Sequence, residues 1–162
     1  MDFGMKIKQR YTAQCYGPDG LLKWSDTFDN LVTTEGLNKY LDATLKTGLT
    51  TPAWYVGLVG AKSTGYFAAD TLALHAGWTE GNPYTGNRPA WTSGAVAGGS
   101  VDNSAAKASF AITATATVFG CFVCSATSGT AGILLGVGDF SGGSKGVASG
   151  DTLQVTVTCS LS

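Results

Sequence analysis

The segment at residues 153–161 alternates strictly between apolar and polar side chains, and this alternation is the feature that most constrains the fold. Leu, Val or Cys occupies every odd position, and Gln, Thr or Ser occupies every even one. Because successive side chains of a β-strand point to opposite faces, the segment predicts a strand with one buried face and one solvent face. A sheet with one apolar face must pack against a second layer, so the pattern favours a two-layer β protein.

Other segments also have the length and composition of strands. Residues 5–28 predict a hairpin, because Gly17-Pro18-Asp19-Gly20 is suited to a tight turn. Residues 117–124 and 132–137 are apolar at successive positions, as expected of strands that are covered on both faces. The remaining strands are predicted at residues 54–59, 88–92 and 108–114.

One segment, residues 34–47, predicts an α-helix. Leu37, Leu41 and Leu45 recur at intervals of four residues, which places them on one helix face. Pro52 prevents the helix from continuing. We call these three residues the leucine stripe, and we expect it to pack against a sheet.

Taken together, the segments predict a single domain at residues 1–162. The fold class is mainly β, an antiparallel, jelly-roll-like β-sandwich of about eight strands with one inserted α-helix near residues 34–47. Residues 60–87 show little periodicity and exceed the usual loop length. That stretch is therefore either functional or contains an element that the pattern misses.

The charge of the chain argues against several classes of partner. Charged residues make up 13% of the sequence and the formal net charge is -1, whereas nucleic-acid binding requires several excess cations. No apolar run reaches the roughly 18 residues of a membrane span, and the first residues lack the apolar core of a signal peptide. We therefore expect no nucleic acid and no membrane as partners, synthesis in the cytoplasm, and reduced cysteines.

Residues with catalytic or metal-binding chemistry are sparse. Cys121 and Cys124 have the spacing of a redox or zinc motif, but in a strand they point to opposite faces, so buried thiols are expected. His75 is the single histidine, and Asp70 and Glu80 are the acids near it in sequence that could orient its imidazole. A hydrogen bond that fixes the loop is the favoured role for His75, and no catalytic, metal or cofactor site is predicted.

An aromatic loop is the strongest candidate for a binding surface. Trp, Tyr and Arg dominate binding hot spots, and the candidate interface consists of Trp78, Glu80, Tyr84, Arg88 and Trp91. The alternative is structural: Trp78 and Trp91 plug the ends of the sandwich, and Glu80 with Arg88 clips the loop.

Several segments resemble a family of small tailed-phage virion proteins. The resemblance is carried by residues 24–37 (WSDTFDNLVTTEGL), 54–58 (WYVGL), 69–80 (ADTLALHAGWTE), Tyr84 and Arg88, and by residues 150–153 (GDTL). Such β-sandwich proteins are commonly capsid decoration or cement proteins and are usually oligomeric. The resemblance implies a location on the capsid exterior, the major capsid protein as partner, and self-association as a dimer or trimer.

Two other functions remain open at this point. The first is a phage tail or fibre module that binds a host-surface glycan, with the Trp and Tyr side chains of the loop as the stacking platform. The second is a hydrolase that uses His75. The resemblance and the missing catalytic set both favour a non-enzymatic capsid decoration protein.

Overall fold

The computed structural model describes residues 4–48 and 50–162. The fold is mainly β and antiparallel, as predicted, and no helix in these ranges is long and apolar enough to cross a membrane. The elements, in chain order, are β1 (Ile7–Tyr16), β2 (Leu22–Asp29), β3 (Leu31–Val32), α1 (Thr34–Leu45), β4 (Trp54–Lys62), β5 (Trp78–Gly81), β6 (Ala90–Trp91), β7 (Ser100–Asp102), β8 (Ala108–Ala111), β9 (Ala116–Val118), β10 (Gly120–Cys124), β11 (Leu134–Asp139), β12 (Lys145–Val147) and β13 (Thr152–Leu161).

The first sheet places the first and last strands side by side in the order β2-β1-β13. β1 and β13 pair antiparallel over their full lengths, from Ile7 opposite Leu161 to Tyr16 opposite Thr152. β7 and β8 both pair with the other edge of β13, at opposite ends of that strand. The predicted hairpin is therefore confirmed, and the C-terminal strand lies at the centre of the sheet.

The second sheet has the order β3-β11-β10-β4, with β5 and β6 along the far edge of β4. A separate ribbon pairs β9 with β12. The two sheets face each other, because Tyr11 and Leu153 of the first share one buried cluster with Val56, Leu58 and Cys121 of the second. The predicted sandwich is confirmed, while the more specific jelly-roll arrangement stays a prediction.

The alternation in β13 corresponds to burial in the structure. Leu153, Val155 and Val157 are fully buried, and the Gln and Thr residues between them are only partly buried. Cys159 and Leu161 continue the apolar face but are only partly buried. The inward face of the strand thus becomes more accessible toward its C-terminal end.

β10 is buried on both faces, as its apolar sequence predicts. Cys121 and Val123 belong to the cluster between the two sheets. Phe122 and Cys124 point the other way, into a second cluster that includes Trp78. The second sheet therefore needs a cover on its outer face as well as on its inner face.

The cover comes from the long stretch at residues 60–87, which the sequence pattern left unassigned. Tyr66 and Leu72 of this stretch pack into the outer cluster with Trp78. Trp78 begins β5, a strand that the sequence analysis missed. Residues 63–77 of the stretch are therefore a covering segment that leads into the short edge strand β5.

Short strands account for most other differences from the prediction. The predicted strand at 117–124 is divided in two, because β9 pairs with β12 whereas β10 pairs with β11 and β4. β3, β7 and β12 have two or three residues each and were not predicted. Such short strands are formed by long-range pairing, and they are too short to show a period-two pattern.

The helix α1 is present, but its orientation corrects the prediction. Its N-terminal cap is the Thr33 hydroxyl, which accepts a hydrogen bond from the Gly36 backbone amide at 3.1 Å. Gly36 is the buried residue of the helix, and a Cβ atom there would lie only 2.4 Å from the backbone oxygen of Leu135. The helix therefore approaches β11 through Gly36.

The expectation that the leucine stripe packs against a sheet is wrong. Leu37, Leu41 and Leu45 are 38%, 48% and 77% exposed. Tyr40 and Ala43, which share a helix face with Gly36, are partly buried instead. A leucine on the inward face would have to occupy the space that the close approach at Gly36 removes.

Two buried carboxylates fix turns next to the core. Asp26 accepts hydrogen bonds from the backbone amides of Ser141 and Gly142 at 2.9 Å each. Burial opposes its ionisation, but the hydrogen bond from the Ser141 hydroxyl, together with those from the two amides, outweighs burial and holds the pKa of Asp26 below the ordinary value. Asp151 is paired with Lys23 at 2.6 Å and accepts from the Ala148 amide at 2.8 Å.

Candidate functional site

The five residues of the predicted interface do not form an exposed patch. Trp78 is 2% exposed, Tyr84 7% and Arg88 4%. Glu80 and Trp91 are partly buried. The three most buried side chains therefore have almost no surface for a partner, which corrects the expectation of an adhesive loop.

Trp78 is a core residue beneath the covering stretch. Its indole Nε1 donates to Asp70 Oδ2 at 3.0 Å. Its ring stacks on His75, with centroids 3.9 Å apart, and tilts onto Phe122 of β10 at 5.2 Å. Its contacts are thus used inside the chain, where they hold the covering stretch against the outer face of β10.

Arg88 is the centre of a buried clip. Its Nε and Nη2 donate to the two carboxylate oxygens of Glu80 at 2.7 and 2.6 Å. Nη1 donates to the backbone oxygen of Ala126, and Nη2 also donates to that of Gly129, both at 2.8 Å. Burial opposes the charge, yet the hydrogen bonds to Glu80 raise the pKa of Arg88. The clip joins β5 to the loop after β10, as the structural alternative expected.

Tyr84 and Trp91 also make structural contacts. Tyr84 packs edge-on against Phe110 of β8, with centroids 4.8 Å apart, and burial raises the pKa of its phenol. The Trp91 indole donates to the backbone oxygen of Val157 at 3.0 Å, which ties β6 to the opposite sheet. A glycan-stacking platform needs exposed ring faces, and these two rings are largely occupied within the chain.

His75 has the loop-fixing role that the sequence favoured. Its Nδ1 lies 2.9 Å from the backbone oxygen of Trp78. Asp70 accepts from the Phe67 amide and the Trp78 indole, and Glu80 is held by Arg88. The two acids expected to orient the imidazole thus have other partners, and no side-chain hydroxyl or thiol of the described residues is hydrogen-bonded to His75.

The cysteines are separate buried thiols. Cys121 and Cys124 lie on opposite faces of β10, as their spacing in a strand predicts. Burial raises the pKa of Cys15 and of Cys159 to about 11, so these thiols are poor nucleophiles near neutral pH. Within residues 4–48 and 50–162, no group of three or more His, Cys, Asp or Glu side chains could hold a metal ion.

The exposed leucine stripe is the surface feature that sequence reasoning placed wrongly. Leu37 borders a surface depression together with Met5 and Leu31, which are 66% and 36% exposed. The signal in the sequence was a helix with two apolar faces, since Gly36, Tyr40 and Ala43 form a second face beside the leucines. The face with Gly36 packs against the chain's own sheet, and the leucine face is the more exposed of the two.

No family model matches the chain, and no curated protein matches it.

The clip predicts that Arg88 contributes to stability. Arg88→Met should lower the free energy of unfolding by about 3 kcal/mol, because it leaves the Glu80 carboxylate without its charged partner. The measurement is urea unfolding followed by circular dichroism. Arg10→Met is the matched control, because Arg10 forms a similar pair with Asp29 but both side chains are more than half exposed. The control should barely change the midpoint, and equal effects of the two substitutions would contradict the clip.

Proposed function

We propose that this chain is a non-enzymatic structural subunit of a tailed-phage particle, which decorates the outside of the assembled capsid shell as a small oligomer. The phage part of the proposal is supported by the sequence resemblance. The assembly part is supported by one observation, the solvent-facing leucine stripe on α1. Contiguous exposed apolar side chains on a folded domain are typical of an interaction surface.

The stripe is suited to contact with a second copy of the chain. Leu41 stands at its middle, and Leu37 and Leu45 are each four residues away. Two helices that pair antiparallel about a two-fold axis at Leu41 would place each Leu37 beside the other copy's Leu45. This is the self-complementary arrangement that a two-fold dimer requires, so a dimer is favoured over a trimer.

The surroundings of the stripe support the same arrangement. Leu45 is 77% exposed and projects at one end of the stripe. At the other end, Met5, Leu31 and Leu37 border the surface depression. In the antiparallel pair the projecting Leu45 of one copy enters the depression of the other, and this happens twice. Complete burial of a leucine side chain is worth about 1.5–3 kcal/mol.

The weakly charged surface fits a decoration protein. A formal net charge of -1 offers little long-range attraction, so contacts must depend on shape, apolar side chains and hydrogen bonds. The major capsid protein is the proposed shell partner. Copies that bind only the assembled shell would stabilise it by mass action, which needs no active site.

The proposed dimer can be tested with two leucine substitutions. We expect the native chain to sediment as a dimer at micromolar concentration, and Leu41→Lys to sediment as a folded monomer with an unchanged circular dichroism spectrum. Leu74→Lys is the matched control, because Leu74 is 79% exposed but lies outside α1. A native chain that is monomeric, or a Leu41→Lys chain that is still dimeric, would refute pairing through the stripe.

The proposed place in the particle requires a separate experiment. In phage particles purified from a host that expresses this chain, we expect mass spectrometry to find it in many copies and antibody labels to lie on the head. Absence from the particles would overturn the virion proposal. Label confined to the tail would overturn the decoration role and favour the tail or fibre alternative.

A further inference from the structure

A cavity of about 220 Å³ lies between the two sheets on the inward side of α1. Its walls come from Val157 and Cys159 of β13, Val123 of β10, and the side chains of Trp54 and Trp91. Tyr40 and Ala43, on the inward face of α1, form a further wall, and the cavity is open to solvent on one side. The cavity therefore lies where the inward face of β13 becomes more accessible.

The size and walls of the cavity fit an apolar guest. A cavity of about 150 Å³ is large enough to bind benzene, so a space of this volume can hold a single aromatic ring. Water is held in a cavity only where several polar groups surround it, and the walls described here are mainly aliphatic and aromatic. An apolar molecule would gain dispersion contacts with these walls that water cannot supply.

One buried polar side chain indicates which polar group the guest molecule should carry. Gln9 lines the cavity and is 2% exposed. Its Oε1 accepts hydrogen bonds from the Asn30 amide at 2.5 Å and from the Tyr11 hydroxyl at 3.4 Å. Because its oxygen is held in this way, the amide nitrogen is directed toward Cys159 on the cavity wall.

The amide nitrogen of Gln9 is poorly satisfied. The partner that the described residues provide is Cys159 Sγ at 3.5 Å, and sulfur is a weak acceptor. An amide NH₂ group carries two donors, so Gln9 can still donate to an oxygen. A buried donor without a good acceptor is a position where a ligand oxygen gains a hydrogen bond.

We propose that this cavity is a binding site for a small, uncharged and mainly apolar molecule that carries one hydrogen-bond acceptor oxygen at its buried end. A single aromatic ring or a short branched acyl group with a carbonyl belongs to this class. The oxygen accepts from Gln9 Nε2, and the apolar part packs between Trp54, Trp91 and α1. Thr44 and Thr51 are exposed and mark the side from which the ligand enters.

The test uses two probes of nearly equal shape, acetophenone and α-methylstyrene, which differ by a carbonyl oxygen in place of a methylene group. Binding is followed by tryptophan fluorescence and by NMR shifts of the Val157 and Trp54 signals. We expect both probes to bind saturably, with acetophenone about fivefold tighter, as one added hydrogen bond implies. Absence of saturable binding by either probe would overturn the site, and equal affinities would overturn the role of Gln9.

Two variants separate the cavity from other apolar surfaces. Ala43→Leu fills the cavity and should abolish binding of both probes, whereas Leu41→Lys changes the outward stripe and should leave both affinities unchanged. Gln9→Met keeps a similar shape without the donor and should make the two affinities equal. If Leu41→Lys alone loses binding, the probes bind to the leucine stripe and the proposal is overturned. If Ala43→Leu does not fold, the Leu41→Lys and Gln9→Met results decide.

Discussion

The rest of the structure depends on the burial of β10 on both faces. Cys121 and Val123 pack between the sheets, and Phe122 packs against the outer cover. An outer face of this kind cannot be left in water, because each exposed aromatic or aliphatic side chain would lose its transfer free energy. The chain meets this requirement with Tyr66, Leu72 and Trp78, which pack against the outer face and place the Trp78 ring on Phe122. The aromatic loop is consequently part of the core.

The position of α1 follows from which of its two apolar faces packs against the sheet. The close approach at Gly36 brings the helix onto β11, and Tyr40 and Ala43 then form one wall of the cavity between the sheets. The leucine stripe is left outside, where we propose that it contacts a second copy of the chain. One helix thus separates two apolar regions, a pocket between the sheets that we propose as a ligand site and an exposed stripe that we propose as a dimer contact.

Much of the framework could be predicted from the sequence, and the reasons are local. β13 and β1 carry a period-two alternation in their own residues, β10 is recognisable as a continuous apolar run, and Pro52 lies beyond the predicted helix. The short strands form only by pairing with strands that are distant in sequence, so no local pattern predicts them. The orientation of α1 was missed because three leucines suggest burial more strongly than one glycine does. Gln9 was missed as well, although it is a polar residue on the buried face of β1, the face that also carries Tyr11 and Ala13.

The central claim is that the aromatic loop is internal and the leucine stripe is the assembly surface. Hydroxyl-radical footprinting tests this most directly, with side-chain oxidation measured by mass spectrometry in dilute and in assembled protein. The account predicts that Leu41 and Leu45 are oxidised in the dilute chain and protected on assembly, while Trp78 is protected in both states. Oxidation of Trp78 in the dilute folded chain, or equal oxidation of the leucines in both states, would contradict it.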